Sequence, residues 1–352
     1  MKINKKPLII LLFLLFTTSL IINPEISQNA IKNGLFISAN VIIPTLFPFM
    51  FCVCMIIKYG FTLKNKFINK ILFKIFGHNF DMFFVFLLSL LGGYPVGASL
   101  LTELKKRNII DEKSQNIMLT YCVNAGPAFV VSVIGVNVLG SKTIGVLLLT
   151  SHIIASFLMA VVCGLLLKRQ NFKSNKIYPN TKNFAEIIVE SVNTATGNIL
   201  KICSFITVFF AINAYLDLYF SNIPIIKYIS YFTEVTSAVY RTKNITFISF
   251  LLGFAGLSIW FQIFSICNGK KINIITFALS RVLHGGISAV ITKILLNVFE
   301  IKISTYSNNI SVIKNNSYSG ITLSISMTIM IIVFISYLYS KNNSGKILND
   351  VI

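Results

Sequence analysis

Two glycine- and proline-rich breaks interrupt apolar stretches of this chain, and they restrict what the surrounding sequence can become. The first reads Phe86-Leu-Leu-Ser-Leu-Leu-Gly92-Gly93-Tyr94-Pro95-Val96-Gly97; the second reads Phe250-Leu-Leu-Gly253-Phe254-Ala255-Gly256-Leu257-Ser258. They agree over Phe-Leu-Leu and again at a glycine, so that Phe86 pairs with Phe250 and Gly92 with Gly256 in one register. A segment in lipid must satisfy its own backbone, as a helix does; freed N–H and C=O groups survive at that depth only when buried in protein or lining a watery cavity. Two breaks in corresponding halves therefore point to the binding site of a transporter-like fold.

Composition supports the membrane setting. Of 352 residues, 55% are hydrophobic and 12% charged, and several windows approach the roughly 20 apolar residues that span a bilayer. The expected fold class is an all-α polytopic membrane protein. Lys and Arg number 31 against 11 acids, a formal charge of +20. Basic residues flank apolar spans and build no soluble basic domain, which argues against nucleic acid as a partner and for lipid headgroups and cytoplasmic loops. An interior suited to an anion is the sharper reading. The six cysteines, at 52, 54, 122, 163, 203 and 267, lie in apolar segments without Cys-x-x-Cys or zinc spacing, so they read as small buried hydrophobes. Neither a metal site nor a cofactor is expected. No nucleotide-binding, hydrolase or metalloprotease motif is present, and the expectation is a protein that is not an enzyme.

Along the chain, spans are expected over residues 8–22, 41–57, 116–139, 143–167, 199–218, 273–298 and 321–339. The basic start followed by residues 8–16 resembles a signal peptide. The small-residue cleavage pattern is missing and the apolar run continues, so an uncleaved first helix is expected. Residues 23–40 read as a polar loop, 58–81 as an amphipathic interfacial helix, 184–198 as amphipathic, 219–244 as interfacial and 299–319 as a polar loop. Lysines on the N-terminus and at 58, 64, 66, 70 and 74 put both ends of the first hairpin inside. The first broken segment, 82–102, has cationic flanks on both sides, which suits a re-entrant hairpin; the second covers 245–267.

Order repeats between the halves. The run Leu119 to Gly126 also matches the run Leu279 to Gly286, pairing Asn124 with His284. The division expected is an N-terminal anchor over 1–30, a first repeat over 31–169, a cytoplasmic linker over 170–183, a second repeat over 184–342 and a polar tail over 343–352. Span counting inverts the second repeat; Lys227, Arg241, Lys243, Lys270 and Lys271, which would then lie outside, argue the other way.

Each break would aim a helix N-terminus, with its partial positive charge, at the midplane, an arrangement suited to anions. Gly93, Tyr94 and Pro95 in the first break, and Gly256, Ser258 and Gln262 in the second, are the candidate liners, against the plainer reading of Tyr94 as a packed turn aromatic. Asn124 and His284 are polar and mid-span; each could bond a neighbouring helix or a substrate. Arg281, one turn before His284, is either an anion contact or a snorkelling side chain. For Glu234, with Thr236 beside it, three readings stay open: a coupling cation, a pair with Arg281, or an exposed loop. Glu103 reads as a solvated helix cap.

The run Leu91-Gly92-Gly93-Tyr94-Pro95-Val96-Gly97-Ala98 with Glu103 downstream, then Asn124-Ala-Gly126-Pro127, then Phe250 to Ser258 with Gln262, resembles the sporulation integral membrane protein YlbJ family, which carries the nucleoside-recognition Gate domain. The resemblance covers about residues 40–300. Trp260 and Ala255 depart from its second motif, and Arg281 and His284 fall outside its pattern. It implies a spore-forming source, residence in the mother-cell-derived membrane around the forespore, and movement of dipicolinate, a small planar dianion, into the spore. The expected function is secondary transport of such an anion, with a nucleoside-type carrier and a non-transporting sporulation scaffold as alternatives. A homo-oligomer is compatible with either.

Overall fold

The structure, a computed structural model, describes residues 6–59, 66–169, 183–220, 222–267 and 272–299. The expected span at 321–339, the 299–319 loop, the tail, Lys270, Lys271 and nearly all of the 170–183 linker lie outside these residues.

Among the described residues every regular element is a helix, and five are long and apolar enough to cross a membrane: Pro24–Tyr59, Lys142–Leu165, Phe184–Phe220, Ile245–Ile266 and Ile274–Val298. Helix α1 (Lys6–Ile22) is followed by α2 (Pro24–Ile37), a π-helical stretch Ser38–Ile42, and α3 (Ile43–Tyr59). Residues 24–37 are thus helix where a loop was expected. Pro24 sits in the first turn, where its missing N–H costs nothing, and Glu25 stands at the positive end. Pro44 and Pro48 each withdraw an N–H further on, and the helix widens into its π turn just before them.

Within 58–81, where an amphipathic interfacial helix was expected, the structure has the amphipathic helix α4 (Lys66–Phe76). It turns Leu72 and Phe76 inward and leaves Phe67 and Phe73 exposed. It bends by 63° into α5 (Phe80–Gly92), whose first turn Asn79 caps by accepting from the Met82 N–H at 3.2 Å. The chain then folds back at Gly93, φ +84°, into α6 (Tyr94–Lys106). Only glycine adopts that φ without strain. The two arms touch: a Cβ on Gly97 would lie 3.1 Å from Ser89 Cβ and would overlap the Cys122 carbonyl oxygen. The re-entrant hairpin expected here is confirmed in its fold-back.

Helix α7 (Glu112–Cys122) breaks at residues 123–127 and continues as a π-helix, Ala128–Val138; α8 (Lys142–Arg169) returns. The second half opens with α9 (Phe184–Phe220), a single helix of 37 residues where an amphipathic segment and a separate span were expected. Its polar start is tied to α3 where Glu190 pairs with Lys58 at 3.3 Å.

The next segment corrects the reading of 219–244 as interfacial. Helix α10 (Pro224–Thr233) runs back beside α9 until Thr233 Oγ1 donates to Asn213 Oδ1 at 2.6 Å; the chain turns at Glu234, and α11 (Val235–Arg241) climbs again. Asn213 also donates to Ser237 Oγ at 3.1 Å, and Arg241 reaches Asp217, one turn further along α9, at 2.8 Å. This is a second short re-entrant element, and it enters from the end opposite to α5–α6.

The break at 253–258 behaves differently from the break at 92–97 with which the sequence paired it. Helix α12 (Ile245–Phe254) ends in two left-handed residues, Ala255 at φ +70° and Gly256 at φ +61°, and α13 (Gly256–Ile266) carries on through the same 22-residue span. Its antiparallel neighbour is α14 (Ile274–Val298). Gly253 meets Gly285 so closely that a Cβ would lie 2.5 Å from its Cα, the small-residue contact that lets membrane helices approach. Ser249 meets Ser288 at 2.8 Å, and Trp260 packs edge-on against Phe277.

Two ends are thereby defined. At the basic end lie Lys58, Lys70, Lys74, Lys105, Lys106 and the close approach of Gly77 to Gly164. Cys267 and Asn273 are at this end too, against Thr102 and Asn116. The chain flanking residues 268–271 is therefore at the basic end, not the far one as expected. At the far end Asn23 meets Tyr219 and Tyr215.

Gly97→Ala is expected to cost ~1–3 kcal/mol by overpacking and to lower the thermal midpoint in detergent. Gly197→Ala, with nothing within 4 Å of its Cβ position, is expected to leave that midpoint level or raised, by up to ~1 kcal/mol.

Candidate functional site

Every break in a buried helix leaves backbone groups that need partners, and here side chains from other helices supply them. Tyr94 Oη, on the α5–α6 tip, donates to the Leu252 carbonyl at 2.7 Å, near the end of α12. Trp260 Nε1 donates to the Phe254 carbonyl at 2.8 Å. Arg281 donates to the carbonyls of Thr120 and of Val123, the latter at 2.6 Å, where α7 breaks. Glu234 receives the N–H groups of Thr236 at 2.9 Å and Ser237 at 2.5 Å.

The breaks converge on one small cavity. Its wall is formed by Gly93, Tyr94 and Pro95 at the first tip, Glu234 and Thr236 at the second, and Gln262 on α13. Gly126 in the α7 break, Phe129 just after it, and Ile259 complete the wall. Ile42 and Leu46 on one long helix face Ile202 and Ile206 on the other, two aliphatic pairs with the same one-turn spacing. The volume is about 40 Å³, room for a few waters at most. Ser258 stands just behind, accepting from Gln262 Nε2 at 3.3 Å, while Gln262 Oε1 has no partner among the described residues. Gly256 packs against the start of α11, where a Cβ would meet Val235 at 3.1 Å. Glu234 is thus neither an exposed loop residue nor a partner of Arg281: it is 2% exposed and caps α11.

Asn124, Arg281 and His284 are not on the cavity wall. They belong to a buried network between α7, α8 and α14. Asn124 donates to the Tyr121 carbonyl at 2.8 Å and accepts from Ser156 at 2.6 Å; Ser89 lies 3.3 Å away. His152 Nε2 accepts from the Ala125 N–H at 3.0 Å, and its ring stacks on that of His284 at 4.5 Å. Arg281 is fully buried, with Phe277 under its guanidinium at 5.5 Å. No carboxylate lies within ion-pair distance of it among the described residues. Two backbone carbonyls take the place of an acid and use two of its five N–H donors. The arginine here is a cap for α7 and not a free anion contact. Glu103, read as a helix cap, pairs with Arg107 at 2.9 Å.

Sequence reasoning passed over His152 and the two aliphatic pairs. A signal existed: His152-Ile-Ile-Ala-Ser156 and His284-Gly-Gly-Ile-Ser288 share His-x-x-x-Ser, and upstream of each the dipeptide Ala-Gly recurs, at Ala125-Gly126 and at Ala255-Gly256. The rings of His152 and His284 also stack on each other.

Two buried helix-turn-helix tips and the helices of two broken spans meet at this cavity. The chain is similar to YlbJ. The sporulation integral membrane protein YlbJ of Bacillus subtilis (strain 168) is 23% identical over 337 residues, covering 80% of this chain and 81% of the relative. This supports the YlbJ-family relationship that the Gly92–Gly97 and Asn124–Pro127 motifs suggest. No family model matches the chain, and no solved structure does.

Arg281→Met is expected to leave two buried carbonyls without donors, at ~1–3 kcal/mol each, and Arg281→Lys to recover part of the loss; detergent melting of both variants measures it. A fully stable Arg281→Met protein would remove the capping role.

Proposed function

We propose that this chain is a secondary transporter of a small organic anion in the membrane surrounding a developing spore. The observation that supports it is the composition of the cavity wall: each half contributes a re-entrant tip, a long helix with two aliphatic residues at matching positions, and the helix that follows a broken span. We read the halves as an inverted repeat, because α7 with Ala128–Val138 runs from the basic end to the far end and α12–α13 runs the opposite way. A site between inverted repeats can be exposed to one side and then the other by rocking one half against its partner. Positive-inside bias would put the basic end in the cytoplasm.

In this reading Glu234, which lines the cavity, binds the coupling proton or cation, with Thr236 beside it. Gln262 and the backbone of Gly93 and Pro95 contact the solute. Dipicolinate is the anion that the resemblance to the YlbJ family implies. A nucleoside-type solute is favoured by one observation, the unpartnered Gln262 Oε1, which could accept from a base N–H.

Spores lacking this protein are expected to be poor in dipicolinate, and normal content would exclude it as the cargo. In proteoliposomes, Glu234→Gln is expected to abolish proton- or cation-driven uptake of dipicolinate while leaving exchange of labelled dipicolinate across the membrane. Uptake of labelled nucleosides but not dipicolinate would move the reading to the second solute.

A further inference from the structure

The small cavity has a neighbour. A larger recess of about 220 Å³ lies at the basic end, lined by Lys58 and Cys54 on α3, by Ser99, Thr102, Glu103 and Lys106 on α6, by Thr194, Asn198 and Lys201 on α9, and by Ile266 on α13. These four helices are among those that wall the inner cavity: Leu46, Tyr94, Ile202 and Gln262 stand further along the same α3, α6, α9 and α13. The recess and the cavity are thus two compartments of one column between four helices. What separates them includes a cross-brace, Asn198 Nδ2 donating to Ser99 Oγ at 2.8 Å, one turn from Ile202 on α9 and from Pro95 on α6.

The charge of the recess is one-sided. Its carboxylate, Glu103, is engaged by Arg107 at 2.9 Å, and Lys58 by Glu190 at 3.3 Å. Lys106 on α6 and Lys201 on α9 both line the recess, both are exposed, and neither has a carboxylate within 4.0 Å among the described residues. The wall also carries neutral hydrogen-bonding groups, Ser99, Thr194 and Asn198. Two ammonium groups lining a low-dielectric recess raise the local concentration of anions and match a solute carrying two carboxylates.

We propose that this recess is the entrance site of the column: a binding site for small dicarboxylates held by Lys106 and Lys201, from which the solute passes inward when the Asn198–Ser99 bond opens. The assignment deepens the transport reading but is tested apart from it. Thr194→Cys places a thiol on the recess wall, in a background with Cys52 and Cys54 changed to Ala. The anionic reagent MTSES is expected to modify it faster, relative to the cationic MTSET, than it modifies a free thiol, by about tenfold. Lys106→Gln with Lys201→Gln should return the ratio to that of the free thiol, and Lys106→Arg with Lys201→Arg should keep it. Dipicolinate at millimolar concentration should slow modification in the parent and in the Arg variant but not in the Gln variant.

Equal reagent ratios in parent and Gln variant, or no slowing by dipicolinate in the parent, would overturn the entrance site. Protection without uptake in proteoliposomes would keep it and remove the transport reading. Uptake without protection would do the reverse.

Discussion

A peptide group released from a helix inside a membrane has no water to turn to, and this single constraint organises the molecule. The chain breaks its buried helices at Gly93, at 123–127, at Glu234 and at Ala255. At each break, side chains restore hydrogen bonds the backbone has given up, and most of these come from a different helix. Tyr94 serves α12, Arg281 serves α7, and the Ala125 N–H finds His152 on α8. Some of the bonds that satisfy the irregular backbone, Tyr94 to Leu252 and Arg281 to Thr120 and Val123, are thus also contacts between the halves. The tips cannot leave their neighbours without exposing carbonyls to hydrocarbon, a loss that even one unpaired group makes expensive.

Arg281 shows how far this goes. A buried guanidinium with no acid nearby is costly on desolvation grounds, and burial beside carbonyl dipoles is the form in which it is tolerated. Arginine suits the place because its planar fork can reach the Thr120 and Val123 carbonyls together. The buried network around it is not part of the cavity wall, so the polar residues named here divide into those that hold the frame and those, Tyr94 and Glu234, that both hold the frame and line the cavity.

The membrane class, the amphipathic α4, the hairpin at Gly93 and the kinked span with Asn124 were all legible, because each depends on local features: apolar length, lysine spacing, and glycine at a fold-back. The partnership of the breaks was not. Gly92–Gly97 and Gly253–Ser258 look alike as sequence, yet one reverses the chain and the other passes through, since Trp260 and Phe277 hold α13 alongside α14. The α10–α11 turn escaped notice because it is made by Glu234 in extended conformation, without a glycine to mark it. Of the cavity residues, Gly93, Tyr94, Pro95, Glu234, Thr236 and Gln262 were foreseen. Ile42, Leu46, Ile202 and Ile206 were hidden among many similar aliphatics, and only their common spacing sets them apart.

The stacked imidazoles of His152 and His284 have a consequence for motion. Equivalent residues of two halves related by a two-fold touch each other only close to the axis, and points close to an axis barely translate when one half turns against the other. On the inverted-repeat reading this pair is the fulcrum of the molecule. Rocking would sweep the recess at the basic end through ångströms while these two rings only slide across each other's faces, a contact without directional bonds between the rings to break.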